Sequence, residues 1–357
     1  MNGTRRPAKA AAALALHESP FLRACVRKSV PFTPVWLMRQ AGRYMPEYRA
    51  LRERVGFLEL CRDPGLAAGV AVHAAERLGV DAAIVFSDLL IVTEPLGFPV
   101  SWERGEGPQI RRPIRRARDV DRVRVFNPAR ELPYVAEAVR RTRAALPPGL
   151  PLIGFGGAPF TIASYLIEGR SSRTFERTLG FMRNDAGAWH ELLGRLARVL
   201  ARHLTAQVRA GAQAIQVFDS WVGCLSADEY RRLVLPHSRA LIHSLPRGVP
   251  VIHFGTRAGH LLELMRDAGG SVIGVDHRTP LDEARRRLGP GVAVQGNLAP
   301  EILLGSLAGI RAGAKRVLAR AGRRPGHVFN LGHGVLPATP PENARALVGI
   351  VHELSAR

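Results

Sequence analysis

The stretch PVWLMRQAGRYMPEYR (34–49) joins a short apolar run directly to two arginines that are four residues apart. The run 34–38 has the length and composition of a buried β-strand. Arg39 and Arg43 follow it, with Gly42 between them. Two interpretations are open: solvated charges at a strand end, or a clamp for carboxylates or phosphates. The fold decides between them, because it determines what else lies near this strand end.

Seven further short runs of β-branched or apolar residues end near Gly, Asp or Asn, which gives eight predicted strands. Most of them are continuously apolar instead of alternating, as expected for strands that are covered on both faces. The eight runs are VWLM (35–38), AAIVF (82–86), PLIGF (151–155), AIQVF (214–218), VPVIHF (249–254), SVIGV (271–275), VAVQG (292–296) and HVFN (327–330).

Helix-like stretches lie between these strands. The clearest is DPGLAAGVAVHAAERLG (63–79), in which Pro64 suits the first helical turn and Gly79 suits a helix stop. Three others are 188–211, 281–289 and 341–355. Eight strand–helix units predict a single α/β domain, a (β/α)8 barrel over residues 18–357, with its active site at the C-terminal ends of the strands.

An open, doubly wound sheet is the alternative fold. No GxGxxG follows the first strand and no GxxxxGK[ST] occurs, so a nucleotide-binding sheet has no fingerprint in this chain. The segment 95–150 is long for one connection, and we expect it to form an excursion before the third strand. Residues 1–17 carry only a short, weakly hydrophobic run, so we predict a disordered or frayed tail and no export signal.

The residues that follow the strands meet at one rim of such a barrel. Polar side chains are frequent among them, so the first strand presents its arginines to a mouth and not simply to solvent. The predicted rim consists of Arg39, Arg43, Ser87, Asp88, Gly156, Gly157, Ala158, Pro159, Thr161, Tyr165, Asp219, Ser220, Trp221, His253, Gly255, Asp276, His277, Asn297, Asn330, Gly332, His333 and Gly334.

The chain is strongly basic, with 51 Lys and Arg against 30 Asp and Glu and a net charge of +21. GC-rich codon usage would explain the abundance of arginine, alanine and glycine together, and an acidic partner is the other explanation. The densest basic segment, RRPIRRARDVDRVR (111–124), has no interleaved aromatic residues, and no zinc-finger or RRM signature occurs. We therefore do not expect a nucleic-acid partner.

Cysteine usage and hydropathy bear on the compartment. Cys25, Cys61 and Cys224 are scattered and odd in number, which argues against a disulfide framework and fits a reducing compartment. No apolar run approaches the roughly 18–20 residues that a membrane span needs. We expect a cytoplasmic protein without a membrane partner.

Several kinds of catalytic site have no matching pattern in the sequence. HExxH and HxxEH are absent and no His and Cys have ligand spacing, so we expect no metal. No GxSxG occurs, and no lysine lies between Lys28 and Lys315 to form a Schiff base at a strand end. The remaining set is two arginines, one or more aspartates, Tyr165, Ser220 and His333. It suits an anionic, carboxylate-rich substrate and acid–base or electrostatic catalysis without a cofactor.

Six blocks stand out along the chain: PVWLMRQAGRYMPEYR (34–49), DAAIVFSDLL (81–90), PLIGFGGAPFTIASYLIEG (151–169), QVFDSWVG (216–223), VQGNL (294–298) and FNLGHGVLP (329–337). They resemble, in the right order, those of the uroporphyrinogen decarboxylase family. The resemblance covers nearly everything after the first twenty residues. It implies a (β/α)8 barrel that dimerises, needs no cofactor, and converts uroporphyrinogen III to coproporphyrinogen III by releasing four acetate carboxylates as CO2.

The resemblance also implies which residues act. Asp88 would stabilise a protonated pyrrole by accepting hydrogen bonds from the pyrrole N–H groups, and Arg39 and Arg43 would bind substrate carboxylates. Arg39, Tyr165 and His333 would join Asp88 in catalysis. The implied substrate contacts are Arg39, Gln40, Ala41, Gly42, Arg43, Asp88, Tyr165, Ser220 and His333.

Each of these residues also has an ordinary structural interpretation. Asp88 would be a helix N-cap, Tyr165 part of the core, and Ser220 a cap for the helix that follows it. Asp219 and Asp276 are expected to be structural hydrogen-bonding groups. Gly42 would permit a close approach or a positive φ, and Gln40 and Ala41 would act mainly through backbone shape.

Two other functions are compatible with this kind of chain. Corrinoid-dependent methyltransferases share the superfamily fold, but they carry a zinc-binding His-x-Cys at strand five, where this chain has His253-Phe254-Gly255. A porphyrinogen or haem carrier without catalytic activity is the second alternative. Release of CO2 from the substrate would separate it from an enzyme.

Overall fold

The computed structural model describes residues 16–103 and 107–357, and its centre is a curled parallel sheet. Of the predicted tail over residues 1–17, all but the last two residues lie outside the described ranges. The strands of the described part are β1 (Ala83–Ile84), β2 (Val100–Glu103), β3 (Gly107–Ile110), β4 (Leu152–Gly157), β5 (Ala214–Phe218), β6 (Val251–Phe254), β7 (Val272–Gly274), β8 (Ala293–Gln295) and β9 (His327–Val328).

Seven of these strands form one sheet in the order β1-β4-β5-β6-β7-β8-β9, and every pairing is parallel. β2 and β3 form a separate antiparallel hairpin within the predicted 95–150 excursion, which is thereby confirmed. Because every pairing in this sheet is parallel, all of the carboxyl ends of its strands lie at one edge. This edge collects the predicted rim residues.

Helices connect the strands, as expected for parallel pairing. The four predicted helices are confirmed within two residues at each end. The α-helices of the described residues are Pro20–Cys25, Pro46–Arg54, Phe57–Arg62, Pro64–Leu78, Pro128–Glu131, Pro133–Ala145, Pro159–Glu168, Glu176–Asn184, Ala186–Ala210, Ala227–Glu229, Leu235–His243, Leu262–Ala268, Leu281–Leu288, Leu307–Ala321 and Pro341–Ser355.

Helix Pro64–Leu78 shows why local signals located it well. The Asp63 carboxylate accepts hydrogen bonds from the amides of Gly65 (2.7 Å) and Leu66 (2.9 Å), which satisfies two free N–H groups of the first turn. Gly79 ends the helix in the left-handed conformation, with φ 68°.

The predicted strand at 35–38 is wrong as a strand. Only Val35 makes a β-bridge, and its partner is Phe329, just beyond the end of β9. The carbonyl of Val35 accepts a hydrogen bond from the amide of Asp81 (2.8 Å), just before β1. The amides of Leu37 and Met38 bond to the side chains of Gln40 (3.1 Å) and Asn330 (3.0 Å).

A regular strand needs backbone partners at successive positions, and here side chains take their place. The segment therefore lies between the two edge strands of the sheet without continuing its ladder.

The two faces of the sheet bury different groups of residues. Alternate strand positions such as Ile153, Ala214 and Ile252 pack with Trp36 and with helix Pro20–Cys25 in one cluster. The other strand positions pack against the connecting helices in a larger cluster. All three cysteines are free thiols, in agreement with the absence of a disulfide framework.

Asp81 offers a test of how the 35–38 segment is attached. Its Oδ2 accepts from the amide of Val35 (2.7 Å) and faces Nε2 of His352 (2.7 Å). We expect Asp81→Ala to lower the free energy of unfolding by about 1–3 kcal/mol in urea titrations, because both partners lose a charged acceptor.

The matched control for this experiment is Asp121→Ala, since the Asp121 side chain is 82% exposed. This variant should stay within about 0.5 kcal/mol of the unmodified protein. An Asp81→Ala protein as stable as the control would contradict the attachment.

Candidate active site

Arg39 stands on a strained turn that follows the 35–38 segment. Its φ is 62°, in the left-handed region that costs a residue with a side chain roughly 1–2 kcal/mol. Buried Gln40 holds the turn: its amide donates to the carbonyl of Leu37 (2.9 Å), and its Nε2 donates to the carbonyl of Ala82 (3.3 Å) beside β1. The strained backbone persists because these bonds fix it from both sides.

Two glycines make room for Arg39. A Cβ on Gly334 would lie 2.4 Å from Cδ of Arg39, so the arginine side chain lies directly on this glycine. A Cβ on Gly42 would lie 3.1 Å from the carbonyl oxygen of Arg39. Gly42 therefore permits the close approach of the Arg39 carbonyl. The positive φ that the sequence analysis allowed for Gly42 occurs at Arg39 instead. Ala41 is half-buried and packs against the main core.

Asp88 follows β1 and is half-buried. Its Oδ1 accepts from the amide of Leu90 (2.8 Å) and caps the short 3-10 helix Leu89–Val92, so the N-cap interpretation holds. Burial raises the pKa of Asp88, while the Leu90 hydrogen bond and the positive charge of Arg39 oppose that rise. The cap uses Oδ1 of Asp88 alone. The same carboxylate therefore caps the 3-10 helix through one oxygen, and it also interacts electrostatically with Arg39.

Tyr165 belongs to the same group of charges. Burial and the negative charge of Asp88 raise its pKa to about 12, and Arg39 acts in the opposite direction. The hydroxyl therefore stays protonated at neutral pH and can donate a hydrogen bond. The Tyr165 ring stacks on Trp221 at a centroid distance of 4.1 Å, and Trp221 also contacts Phe175 at 5.0 Å.

His333 is exposed at the rim between Gly332 and Gly334. Its pKa is lowered by loss of hydration, and then by the positive charge of Arg39 and by His277. A lowered pKa favours the neutral imidazole, which can donate from one nitrogen and accept at the other.

Ser220 is half-buried, and its carbonyl accepts a hydrogen bond from the Thr256 hydroxyl. The 3-10 helix Val222–Cys224 begins after Trp221 and has no side-chain cap, so Ser220 does not cap it. Arg43 is exposed. Burial raises the pKa of the Tyr48 hydroxyl, and the positive charges of Arg52 and Arg43 act in the opposite direction.

The structure thus brings Arg39, Asp88, Tyr165 and His333 into one electrostatic group. Ser220 adjoins that group through its neighbour Trp221, and Arg43 contributes positive charge beside Tyr48.

Sequence reasoning missed the aromatic wall formed by Trp221 and Phe175. The strand pattern predicts Trp221 on the rim but indicates no role for it. Phe175 lies in a segment that has neither a strand pattern nor a motif. Asp276 agrees with its predicted structural role, because its carboxylate accepts from the amides of Arg257 (2.6 Å) and Arg278 (3.2 Å).

The described side chains include no group of three or more His, Cys, Asp and Glu placed to hold a metal ion. None of the described helices combines the length and the apolar character that crossing a membrane requires.

The fold and the site define an α/β enzyme that presents mixed charge at the carboxyl edge of a parallel sheet. The family model for uroporphyrinogen decarboxylase (URO-D) matches residues 16–354. The chain belongs to this family and is a carboxy-lyase.

Two curated relatives named uroporphyrinogen decarboxylase illustrate the similarity. The Carboxydothermus hydrogenoformans protein is 51% identical over 337 residues, which cover 94% of this chain and 96% of the relative. The Sorangium cellulosum protein is 52% identical over 335 residues, with the same coverage of each chain.

A solved structure described as a methyltransferase from Methanosarcina mazei has a similar fold. It aligns with a TM-score of 0.79 at 20% sequence identity and covers 94% of this chain and 97% of its own. At this identity the likeness establishes the α/β fold alone.

The contact between Gly334 and Arg39 leads to a prediction. We expect Gly334→Ala to displace the Arg39 side chain, because the new methyl group would overlap it, and to raise KM about tenfold or more while the protein stays folded. Steady-state kinetics and circular dichroism measure the two effects. Gly349→Ala is the control, since a Cβ there meets nothing within 4 Å. Unchanged KM in Gly334→Ala would show that the position of Arg39 is unimportant.

Proposed function

We propose that this protein removes the four acetate carboxylates of uroporphyrinogen III as CO2 and yields coproporphyrinogen III. The observation that carries the proposal is the coupled group of Arg39, Asp88 and Tyr165 at the carboxyl edge of the sheet. About 50% identity to relatives named uroporphyrinogen decarboxylase supports it. We also propose that the 35–38 segment completes an eight-membered (β/α)8 barrel over residues 18–357, since its backbone bonds to Phe329 just after β9 and to Asp81 just before β1.

Substrate charge explains the arginines. Uroporphyrinogen carries eight carboxylates, and the planar guanidinium binds a carboxylate through two parallel hydrogen bonds while it stays charged at all relevant pH values. Arg39 and Arg43 are exposed, so both are accessible to these carboxylates. Gln40, Ala41 and Gly42 shape the turn that carries both arginines.

Asp88 would serve the bond-breaking step. Protonation of a pyrrole ring carbon creates a cation, and the bond between the acetate methylene and its carboxylate then breaks. The electron pair of that bond flows into the ring, CO2 leaves, and an exocyclic methylene remains. The methylene carbon then takes a proton to become a methyl group, and the ring carbon releases the proton that it gained first, which restores the neutral pyrrole. The negative charge of Asp88 stabilises the cation, and its carboxylate oxygens accept hydrogen bonds from pyrrole N–H groups. This chemistry needs no metal and no cofactor, because the substrate ring is the electron sink.

The remaining groups are suited to hydrogen bonding in uncharged form. Tyr165 keeps its proton at neutral pH and can donate to a substrate carboxylate near Asp88. Neutral His333 and the Ser220 hydroxyl can do the same at other points of the rim. From the family resemblance we further propose a cytoplasmic homodimer that has neither a nucleic-acid nor a membrane partner.

The direct test is incubation with uroporphyrinogen III under anaerobic, reducing conditions, followed by mass spectrometry. We expect the substrate to lose the mass of four CO2 molecules. Binding without loss of CO2 would indicate a carrier. Methyl transfer from a methylated corrinoid, in place of decarboxylation, would indicate a methyltransferase.

Substitutions at Asp88 separate charge from shape. Asp88→Asn keeps the size and one acceptor oxygen for the Leu90 cap, but it removes the charge, and we expect kcat to fall about 10²–10³-fold. Asp88→Glu keeps the charge about one methylene away and should retain more activity than Asp88→Asn. Substrate Kd should change less than kcat in Asp88→Asn, because loss of an anion relieves repulsion from the substrate carboxylates.

Measurements of kcat and substrate Kd for the unmodified enzyme, Asp88→Asn and Asp88→Glu decide whether the charge of Asp88 acts in catalysis. An Asp88→Asn enzyme that turns over at the unmodified rate would reduce Asp88 to a helix cap. The matched control is Asp121→Asn, an exposed position at which no change in kcat is expected.

Activity should also depend on pH through Asp88. Burial raises the pKa of this carboxyl, and the ionised form acts in catalysis, so kcat/KM should fall with decreasing pH at a higher pH than for an ordinary Asp near about 3.9. Arg39 favours the ionised form, so Arg39→Gln should move this acid limb to still higher pH.

Arg43→Gln serves as the matched control for charge, since Arg39 is the cation that opposes the rise in the pKa of Asp88. It should weaken substrate binding and leave the acid limb in place. Profiles of kcat/KM against pH report the ionisation of the free enzyme. A limb that moves equally in both variants would contradict a specific coupling between Arg39 and Asp88.

A further inference from the structure

A fully buried polar cluster adjoins the turn that carries Ser220. Asp219, the residue after β5, is 0% exposed, and its Oδ1 accepts from the Thr161 hydroxyl at 3.3 Å. Its Oδ2 lies 3.5 Å from Nε2 of His253 on β6, and that side chain is also fully buried. One carboxylate at the end of β5 thus contacts helix Pro159–Glu168 and the neighbouring strand β6.

The backbone of Asp219 is fixed as firmly as its side chain. Its amide donates to the carbonyl of Phe254 (2.7 Å), and its carbonyl accepts from the amide of Val222 (3.2 Å). The residues between Asp219 and Val222 are Ser220 and Trp221, so this arrangement sets the path of the rim turn itself.

The same carboxylate also reaches the helix of Tyr165. Thr161 precedes Tyr165 by four residues on helix Pro159–Glu168, so the two side chains lie on one face of that helix. Tyr165 in turn stacks on Trp221 at 4.1 Å. Asp219 therefore holds both halves of this aromatic pair, one through Thr161 and the other through the chain that leads to Trp221.

The cluster is poorly explained by stability alone. Within the described residues, Oδ2 of Asp219 and Nε2 of His253 have no hydrogen-bond partner beyond their 3.5 Å contact. A buried carboxylate with incomplete hydrogen bonding costs free energy, and well-packed apolar residues are often at least as stable. The benefit must then lie in the geometry that the carboxylate imposes.

We propose that Asp219 is a positioning residue that acts through Thr161 and His253 and fixes Tyr165, Ser220 and Trp221 in one arrangement at the rim. The role in turnover rests on the proposed function, in which Tyr165 and Ser220 contact the substrate. Asp219 itself is fully buried and touches no substrate.

Thr161→Val tests the proposal without removing the carboxylate. Valine has nearly the shape of threonine but lacks the hydroxyl that bonds to Asp219. We expect kcat to fall about ten- to a hundredfold, because small misplacements of substrate-contacting groups have effects of this size. Asp219→Asn keeps an acceptor for Thr161, so its kcat should lie between those of Thr161→Val and the unmodified enzyme.

Trp221 provides a readout that does not depend on activity. Its emission, assigned by difference from Trp221→Phe, should change in Thr161→Val because the stack with Tyr165 shifts. Thr142→Val is the matched control: Thr142 is also 0% exposed, and its hydroxyl bonds to the carbonyl of Ala138 (2.7 Å) on helix Pro133–Ala145. The control should match Thr161→Val in loss of Tm but keep normal kinetics and emission.

Normal kcat or unchanged Trp221 emission in both Thr161→Val and Asp219→Asn would overturn the positioning role. Absence of decarboxylation by the unmodified protein would overturn the proposed function instead. In that case the Trp221 emission of the two variants would still decide whether Asp219 sets the geometry of the rim.

Discussion

The coupling of Arg39 to Asp88 is the interaction on which the site depends. Asp88 is half-buried after β1, where loss of hydration opposes its negative charge. Arg39 is the nearby cation that favours this charge. It lies on a turn in which its backbone adopts the unfavourable left-handed conformation. Gln40 and Gly334 then have a clear purpose, since one holds the turn and the other leaves space for the side chain.

This arrangement reconciles two opposite electrostatic requirements. Under the proposed function, a substrate with eight carboxylates must be attracted, yet a cationic intermediate must be stabilised within the same ring system. Exposed arginines would meet the first requirement and a half-buried carboxylate the second, at different depths in the site. Because Coulomb interactions strengthen as water is excluded, a single half-buried carboxylate would act on the ring while the exposed arginines bind carboxylates at its periphery.

The sequence was informative where local chemistry decides structure. Pro64 and Gly79 predicted the ends of one helix, because a missing N–H and a left-handed stop are properties of single residues. The apolar runs predicted the seven strands of the main sheet because burial on both faces leaves a local pattern. The run at 35–38 carries the same pattern, but its amides are satisfied by Gln40 and Asn330, and no local signal distinguishes side-chain partners from backbone partners.

The site was predictable as a set of residues but not as an arrangement. Strand ends and family motifs indicated Arg39, Asp88 and Tyr165, whereas the positive φ of Arg39 and the stack of Trp221 on Tyr165 depend on contacts between distant segments. Arginine has a low propensity for the left-handed region, and the turn at Arg39 is maintained by hydrogen bonds to distant segments. The sequence therefore gives no local signal for this conformation.

A crystal structure of the protein with coproporphyrinogen bound under reducing conditions tests the central claim most directly. The account predicts that pyrrole N–H groups lie within hydrogen-bonding distance of the Asp88 carboxylate and that the guanidinium of Arg39 contacts a carboxylate of the macrocycle. A macrocycle bound away from Asp88, or one whose N–H groups face another acceptor, would contradict it.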